Sequence, residues 1–256
     1  MPPSASSSLP RRSGRLGAPI LFPAALALLA AAAAWAFRDR LQSLGSGMSL
    51  ESPDTQIRRA LAAQTRARLD DVYGFRAGGT AELMPVRFRD VAVAVEGEQA
   101  TVVAMLDAEG RVTWRDRAAD LSYLGRERFH MRPCRIALWC GDGEQFQHLR
   151  QVLLVLFRRL DAFEARDAAA YAGLVADGYR DRGLGREALL GRVAADFQAG
   201  PRAAIRVLAW QIRVERDRAE VGEDYQIEVA GRAPERLRAR LLLAREGERW
   251  VFAGGL

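Results

Sequence analysis

Residues 16 to 37 read "LGAPILFPAALALLAAAAAWAF", 22 positions without a charge, and no other stretch restricts the fold so strongly. As a helix rising ~1.5 Å per residue, the run spans a bilayer core of about 30 Å. "RRSGR" precedes it and "RDR" follows it, and this excess of Arg on the leading side orients the N-terminus toward the cytoplasm. Residues 1–15 then form a Pro- and Ser-rich cytoplasmic tail, 16–37 a transmembrane anchor, and 38–54 a linker. The body beyond lies across a bacterial inner membrane, in the periplasm. The competing reading is a secretory signal cleaved after the A-x-A of Ala34, Trp35 and Ala36, which leaves a secreted body. The run exceeds the about 7–15 residues of a signal h-region, which favours the uncleaved anchor.

The formal charge of +6 raises the question of nucleic acid. Five Arg against one Asp in residues 1–40 leave 33 Arg against 31 acids in the rest, so the body is nearly neutral with both signs interspersed. That is a solvated surface rather than a phosphate-binding stripe, and nucleic acid is excluded as a partner. All 38 basic residues are Arg, and the chain has no Lys and no Asn, so an Arg cluster such as "RLRAR" (236–240) carries little weight as a motif. Two His and two Cys are too few for a four-ligand zinc site, and no cofactor-binding glycine motif is present. "CRIALWC" (134–140) reads as one continuous apolar strand. At ~3.3 Å per residue Cys134 and Cys140 would lie too far apart to bridge, so two buried thiols are predicted.

The body divides into two α+β units. In the first, 55–146, a helix over 55–74 carries Ile57, Leu61, Ala62, Leu69, Val72 and Tyr73. Strands follow at 84–95 and 99–106, then a turn at "DAEGR", then a strand at 126–139. The second unit, 147–256, opens on a strong amphipathic helix at 148–167. Leu149, Val152, Leu153, Leu156, Leu160 and Phe163 form its stripe, with Arg158, Arg159 and Glu164 placed outward. Helices at 168–179 and 185–200 come next, followed by strands at 203–214, 218–229, 236–245 and 249–254. "VAVEGEQATV" (93–102) and "IRVERDRAEV" (212–221) are nearly the same phrase 119 positions apart. Each reads as a strand, a two-residue polar turn and a strand.

The second unit resembles the NTF2-like superfamily, the cone-shaped α+β fold shared by SnoaL-type cyclases and ketosteroid isomerases. The resemblance rests on the order of its elements: the long helix, "YAGLVADGY", "REALLGRVAADF" and a sheet closing on "GERWVFAGGL". The first unit resembles a reduced, cystatin-like copy. The resemblance implies a pocket between sheet and helices, with an inward carboxylate and a hydrogen-bonding aromatic. By strand parity Glu223 shares a face with Ala219, Val221, Tyr225, Ile227 and Val229, so Glu223 and Tyr225 are the candidate catalytic pair. Trp210, Tyr179 and Phe197 are candidates to line an apolar mouth. Three plainer readings compete: a bulge at Gly222 turning Glu223 outward, a salt bridge to an Arg of "RLRAR", or a solvated strand end.

Two functions follow. One is a non-enzymatic binding or assembly module, whose anchored topology is similar to that of type IV secretion scaffold proteins and which pairs with itself or with an envelope protein. The other is an isomerase- or SnoaL-like enzyme, or a receptor for a small apolar ligand, using the pocket of the second unit.

Overall fold

A computed structural model describes residues 51–72, 79–135, 138–141 and 145–256. The apolar run at 16–37 lies outside the described residues, among which no helix is long and apolar enough to cross a membrane.

Helix α1, Pro53–Ala63, starts where Ser52 accepts the Thr55 amide at 3.3 Å and Pro53 occupies the first turn, and it buries Ile57 and Leu61. It stops well short of the predicted residue 74. After Leu61 the next large apolar residue is Leu69, a gap that breaks the three-and-four rhythm, and Ala67–Asp70 forms strand β1 instead. Strands β2 (Gly79–Glu96), β3 (Gln99–Trp114) and β4 (Arg117–Arg135) are each longer than the sequence suggests. The predicted turn at "DAEGR" does not form. Beneath its polar residues Ala108, Val112 and Trp114 keep the period-two inward pattern, so β3 runs through it.

The Cys reading is also corrected. Strand β4 ends at Arg135, and β5, Leu138–Gly141, folds back antiparallel onto it, placing Arg132 opposite Cys140 and Pro133 opposite Trp139. The Cα atoms of Cys134 and Cys140 lie 5.8 Å apart and the two sulfurs form a disulfide. Both cysteines are exposed, and between them Trp139 packs into a cluster with Ile57, Leu61 and Phe129. Apolar composition had suggested a straight strand, whereas Trp139 supplies that burial from a hairpin. A bridge closing so short a loop is expected to contribute about 2 kcal/mol by restricting the unfolded chain. Denaturant unfolding of the Cys134→Ser/Cys140→Ser variant, or of the reduced protein, should show that loss.

Helix α2 (Gln147–Ala165) leads to the short α3 (Ala168–Ala172), the hairpin β6–β7 (Arg180–Asp181 and Leu184–Gly185) and α4 (Arg186–Ala199). Helix α3 ends long before the predicted residue 179, because the chain beyond Gly173 turns to cover the last strand. Phe252 N–H donates to the Leu174 carbonyl at 2.8 Å, and Ala176 N–H donates to the Phe252 carbonyl at 2.9 Å. Strands β8 (Ala203–Glu215), β9 (Arg218–Val229), β10 (Glu235–Glu246) and β11 (Arg249–Gly254) follow the predicted boundaries closely.

Among the described residues, nine strands form one sheet in the order β1-β2-β3-β4-β8-β9-β10-β11, with β5 on β4. Every pairing is antiparallel except the junction β4–β8, which is parallel from Asp120↔Ala209 to Gly125↔Val214. The stretches 55–146 and 147–256 share this sheet, and Glu51–Leu256 is one compact unit. The largest apolar cluster crosses the junction, joining Leu106, Trp114 and Tyr123 to Leu153, Trp210 and Trp250. The two copies of the repeated phrase form hairpins in equivalent register. Val95 pairs with Ala100 and Glu96 with Gln99 in one, as Val214 pairs with Ala219 and Glu215 with Arg218 in the other. Each turn opens on a left-handed residue, Gly97 (φ 60°) or Arg216 (φ 53°).

Candidate functional site

Glu223 is built into the centre of the second half. Strand β9 stays in unbroken register with β10 from Ala219 to Ile227, so no bulge at Gly222 turns the side chain outward. Glu223 is 2 % exposed. Arg159 Nη2 donates to its two carboxylate oxygens at 2.6 and 2.5 Å, and Trp210 Nε1 donates to Oε1 at 2.9 Å. Of the competing readings, the salt bridge forms, but to helix α2 rather than to "RLRAR". Arg236 and Arg238 lie instead against Asp224, and Arg240 against Glu220, on the solvated side of the sheet.

The outward placement of Arg159 is corrected as well. The residue is 8 % exposed, and its guanidinium carbon lies 5.8 Å from the centre of the Phe252 ring. Arg159 stands three residues after Leu156 and four before Phe163, inside the apolar stripe by spacing; only its charge argued for the surface. Burial acts to depress the guanidinium, but the facing Glu223 carboxylate, together with Tyr171 and Tyr225, outweighs it and the group is held above its ordinary value.

The other candidate residues divide between two places. Trp210 is fully buried, stacked on Trp114 at 5.5 Å and edge-on to Phe157 at 5.5 Å. Tyr225, half-buried, follows Glu223 on the same face, and burial raises its hydroxyl above the ordinary range. Tyr179 and Phe197 sit apart, in a cluster with Tyr171 and Leu189. The Tyr179 hydroxyl donates to the Leu256 carbonyl at 3.2 Å and accepts from the Leu256 amide at 3.0 Å. The hollow that borders Glu223, about 230 Å³, is lined by outward residues including Gln211, Asp224 and Arg238, whereas the carboxylate points inward to Arg159.

Sequence reasoning missed a second buried acid, Glu127 on β4, which is 1 % exposed. Helix α2 begins at Phe146 with no side-chain cap of its own, and Glu127 supplies the acceptor from across the fold. The His148 amide donates to its Oε1 at 3.2 Å, and the Tyr123 hydroxyl donates to the same oxygen. Gly125 makes room for this, since a Cβ there would lie 2.4 Å from the Tyr123 oxygen. Burial pushes the Glu127 carboxyl up to about 7, against the opposing pull of Tyr123 and the helix amides, and burial likewise raises Tyr123 well above its ordinary value. The signal was available: Tyr123, Glu127, Phe129 and Met131 fall in one period-two series.

One helix is thus fastened to both halves of the sheet by buried carboxylates, at His148 and at Arg159. These positions are ~16 Å apart along the axis at ~1.5 Å per residue. At its far end Asp161 and Glu164 meet Arg115 and Arg117 of the β3–β4 turn. A carboxylate whose oxygens are filled by a guanidinium and an indole is a poor proton acceptor for a bound molecule. Among the described residues, no group of His, Cys, Asp and Glu is disposed to hold a metal ion.

No known family model matches the sequence, and no curated protein matches it. Solved structures of similar fold include NTF2-like, ketosteroid-isomerase-like and cystatin-like proteins, which match about 40 % of the chain. One is a candidate dehydratase of the NTF2-like family from Streptomyces avermitilis, at 17 % identity over 43 % of this chain and 93 % of that one, with a TM-score of 0.39. A cystatin-like protein of unknown function from Nostoc punctiforme shows 12 % identity over 43 % and 89 %, with a TM-score of 0.37. A Bdellovibrio bacteriovorus protein shows 6 % identity over 70 % and 87 %, with a TM-score of 0.40. The body itself is mixed α+β, with one large sheet and helices.

Proposed function

We propose that this chain is a membrane-anchored, extracytoplasmic assembly module rather than an enzyme. The observation that carries the reading is the engagement of Glu223 by Arg159 and Trp210, which leaves the candidate base serving the fold. Anchoring by residues 16–37 is read from their length, lack of charge and flanking Arg. The Cys134–Cys140 disulfide supports a body outside the cytoplasm, because such bridges persist in oxidising compartments. The reading gives the body a self- or envelope-protein partner and needs no cofactor.

The test is crosslinking of the full chain in intact bacterial cells, followed by fractionation. Crosslinked species larger than the monomer should appear in the membrane fraction, with the C-terminus accessible only from the periplasmic side. A monomer alone, or a C-terminus reached from the cytoplasm, overturns the reading.

A further inference from the structure

We infer that the free edge of β2, from Val91 to Glu96, pairs antiparallel with the same edge of a second copy of this chain. The inference deepens the assembly reading, and rests on it, by naming partner and interface. Strand β2 has β3 on one side; on the other, β1 covers only Thr80–Leu83. Beyond it the Val86 amide donates to the Thr65 carbonyl at 2.9 Å and Arg58 reaches the Val91 carbonyl, a side-chain contact that an incoming strand has to displace; the last six residues, "VAVAVE", carry a single charge. Open edges with apolar side chains are templates for another strand, and most folds guard them with Lys, Pro or inward charges.

The backbone direction follows from one contact. The exposed Arg58 of α1 donates to the Val91 carbonyl at 2.7 Å. That carbonyl therefore faces the edge, and by the alternation of a strand so do the N–H and C=O groups of Val93 and Val95. A two-fold axis perpendicular to the sheet places each residue's twin on the same face, which requires pairing about a central residue. With Val93 at the centre, Val93 opposes Val93, Val91 opposes Val95, and Ala92 opposes Ala94. These are small or β-branched pairs on both faces.

The charges then decide the register. Between Arg89 and Ala92 the β2–β3 ladder shifts by one residue, with Asp90 at φ 50°. The bulge inserts one extra residue, so Arg89 occupies the place that Asp90 would otherwise take. In the two-fold pairing Arg89 of each copy therefore stands opposite Glu96 of the other, on the face of Ala92 and Ala94. Without the bulge Asp90 would oppose Glu96, and the pairing would be repelled at both ends. Arg89 already leans on Asp107 at 2.6 Å within its own chain, an exposed contact that it can share.

Sedimentation of the full chain in detergent tests this. The parent should form a dimer. Val93→Pro removes an edge-facing N–H without touching the β3 ladder, and it should sediment as a monomer with an unchanged far-ultraviolet spectrum. Glu96→Arg should weaken the dimer by about tenfold or more, because opposed like charges occur twice. Adding Arg89→Glu to it should restore most of the affinity. A dimer that survives Val93→Pro overturns the edge pairing while leaving the assembly reading intact. A monomeric parent overturns the edge pairing as well, and only when no envelope partner crosslinks either does the assembly reading fall with it.

Discussion

Replacing Arg159 with Met is expected to lower the unfolding free energy by about 3–5 kcal/mol at neutral pH, a large share of the ~5–15 kcal/mol typical of a folded domain. The reason lies in what remains behind. Met fills the space of the Arg stem, so packing against Phe252 is largely kept. The Glu223 carboxylate, however, loses its two charge-assisted bonds and retains only the Trp210 indole. An unpaired charge that water does not reach is costly. Urea unfolding at pH 7 measures the loss; a value below about 1 kcal/mol would place the pair among surface bridges of little weight.

Stability should also fall as pH rises through the range set by Glu127. Its folded-state value of about 7 lies above the ordinary 4.5 of the unfolded chain, so between these two pH values the folded form holds more protons. Linkage then makes unfolding easier as pH rises across that window. At ~1.4 kcal/mol per pH unit of separation, the fold loses about 3 kcal/mol between pH 4.5 and pH 7. Below 4.5 both states are protonated, and this contribution is present in full. Glu127→Gln keeps an acceptor for the His148 amide and the Tyr123 hydroxyl but does not titrate, so its stability should be flat across the window where the parent declines. Chemical unfolding at half-unit pH steps compares the two curves, and parallel slopes would remove Glu127 as the source.

The second half of the fold was legible because its strands alternate cleanly. Ala219, Val221 and Glu223 point inward as their parity requires, and the boundaries of β8 to β11 follow from polar turns at 216–217 and 247–248. The first half was less so. Its strand β3 carries polar residues on the open face at "DAEGR", which look like a turn when read singly but are one side of a continuous ladder, while the chain turns only at Arg115 and Asp116. The disulfide was hidden because Trp139, the apolar residue that made "CRIALWC" look straight, is buried from a hairpin.

The site shows the same division. Glu223 is found by parity, whereas Trp210, expected to line an apolar mouth, donates to it instead, and Arg159 was assigned to solvent on charge alone although its spacing placed it in the stripe. A buried cation becomes visible only once a facing carboxylate is known, and that pairing spans 64 residues of sequence. Glu127 was passed over for the mirror reason, since beside the nearby Tyr123 hydroxyl its partners are backbone amides at a distant helix start, which carry no residue-type signal.

The central claim is that Glu223 fastens helix α2 rather than serving as a base for a bound molecule. It is tested most directly by a double-mutant cycle at neutral pH on Arg159→Met, Glu223→Gln and the combined variant. If the two groups exist to satisfy one another, each single variant is strongly destabilised. The combined variant, whose amide oxygen still accepts from Trp210, then recovers to within about 1–2 kcal/mol of the parent. Losses that simply add, leaving the combined variant the least stable of the three, would contradict it.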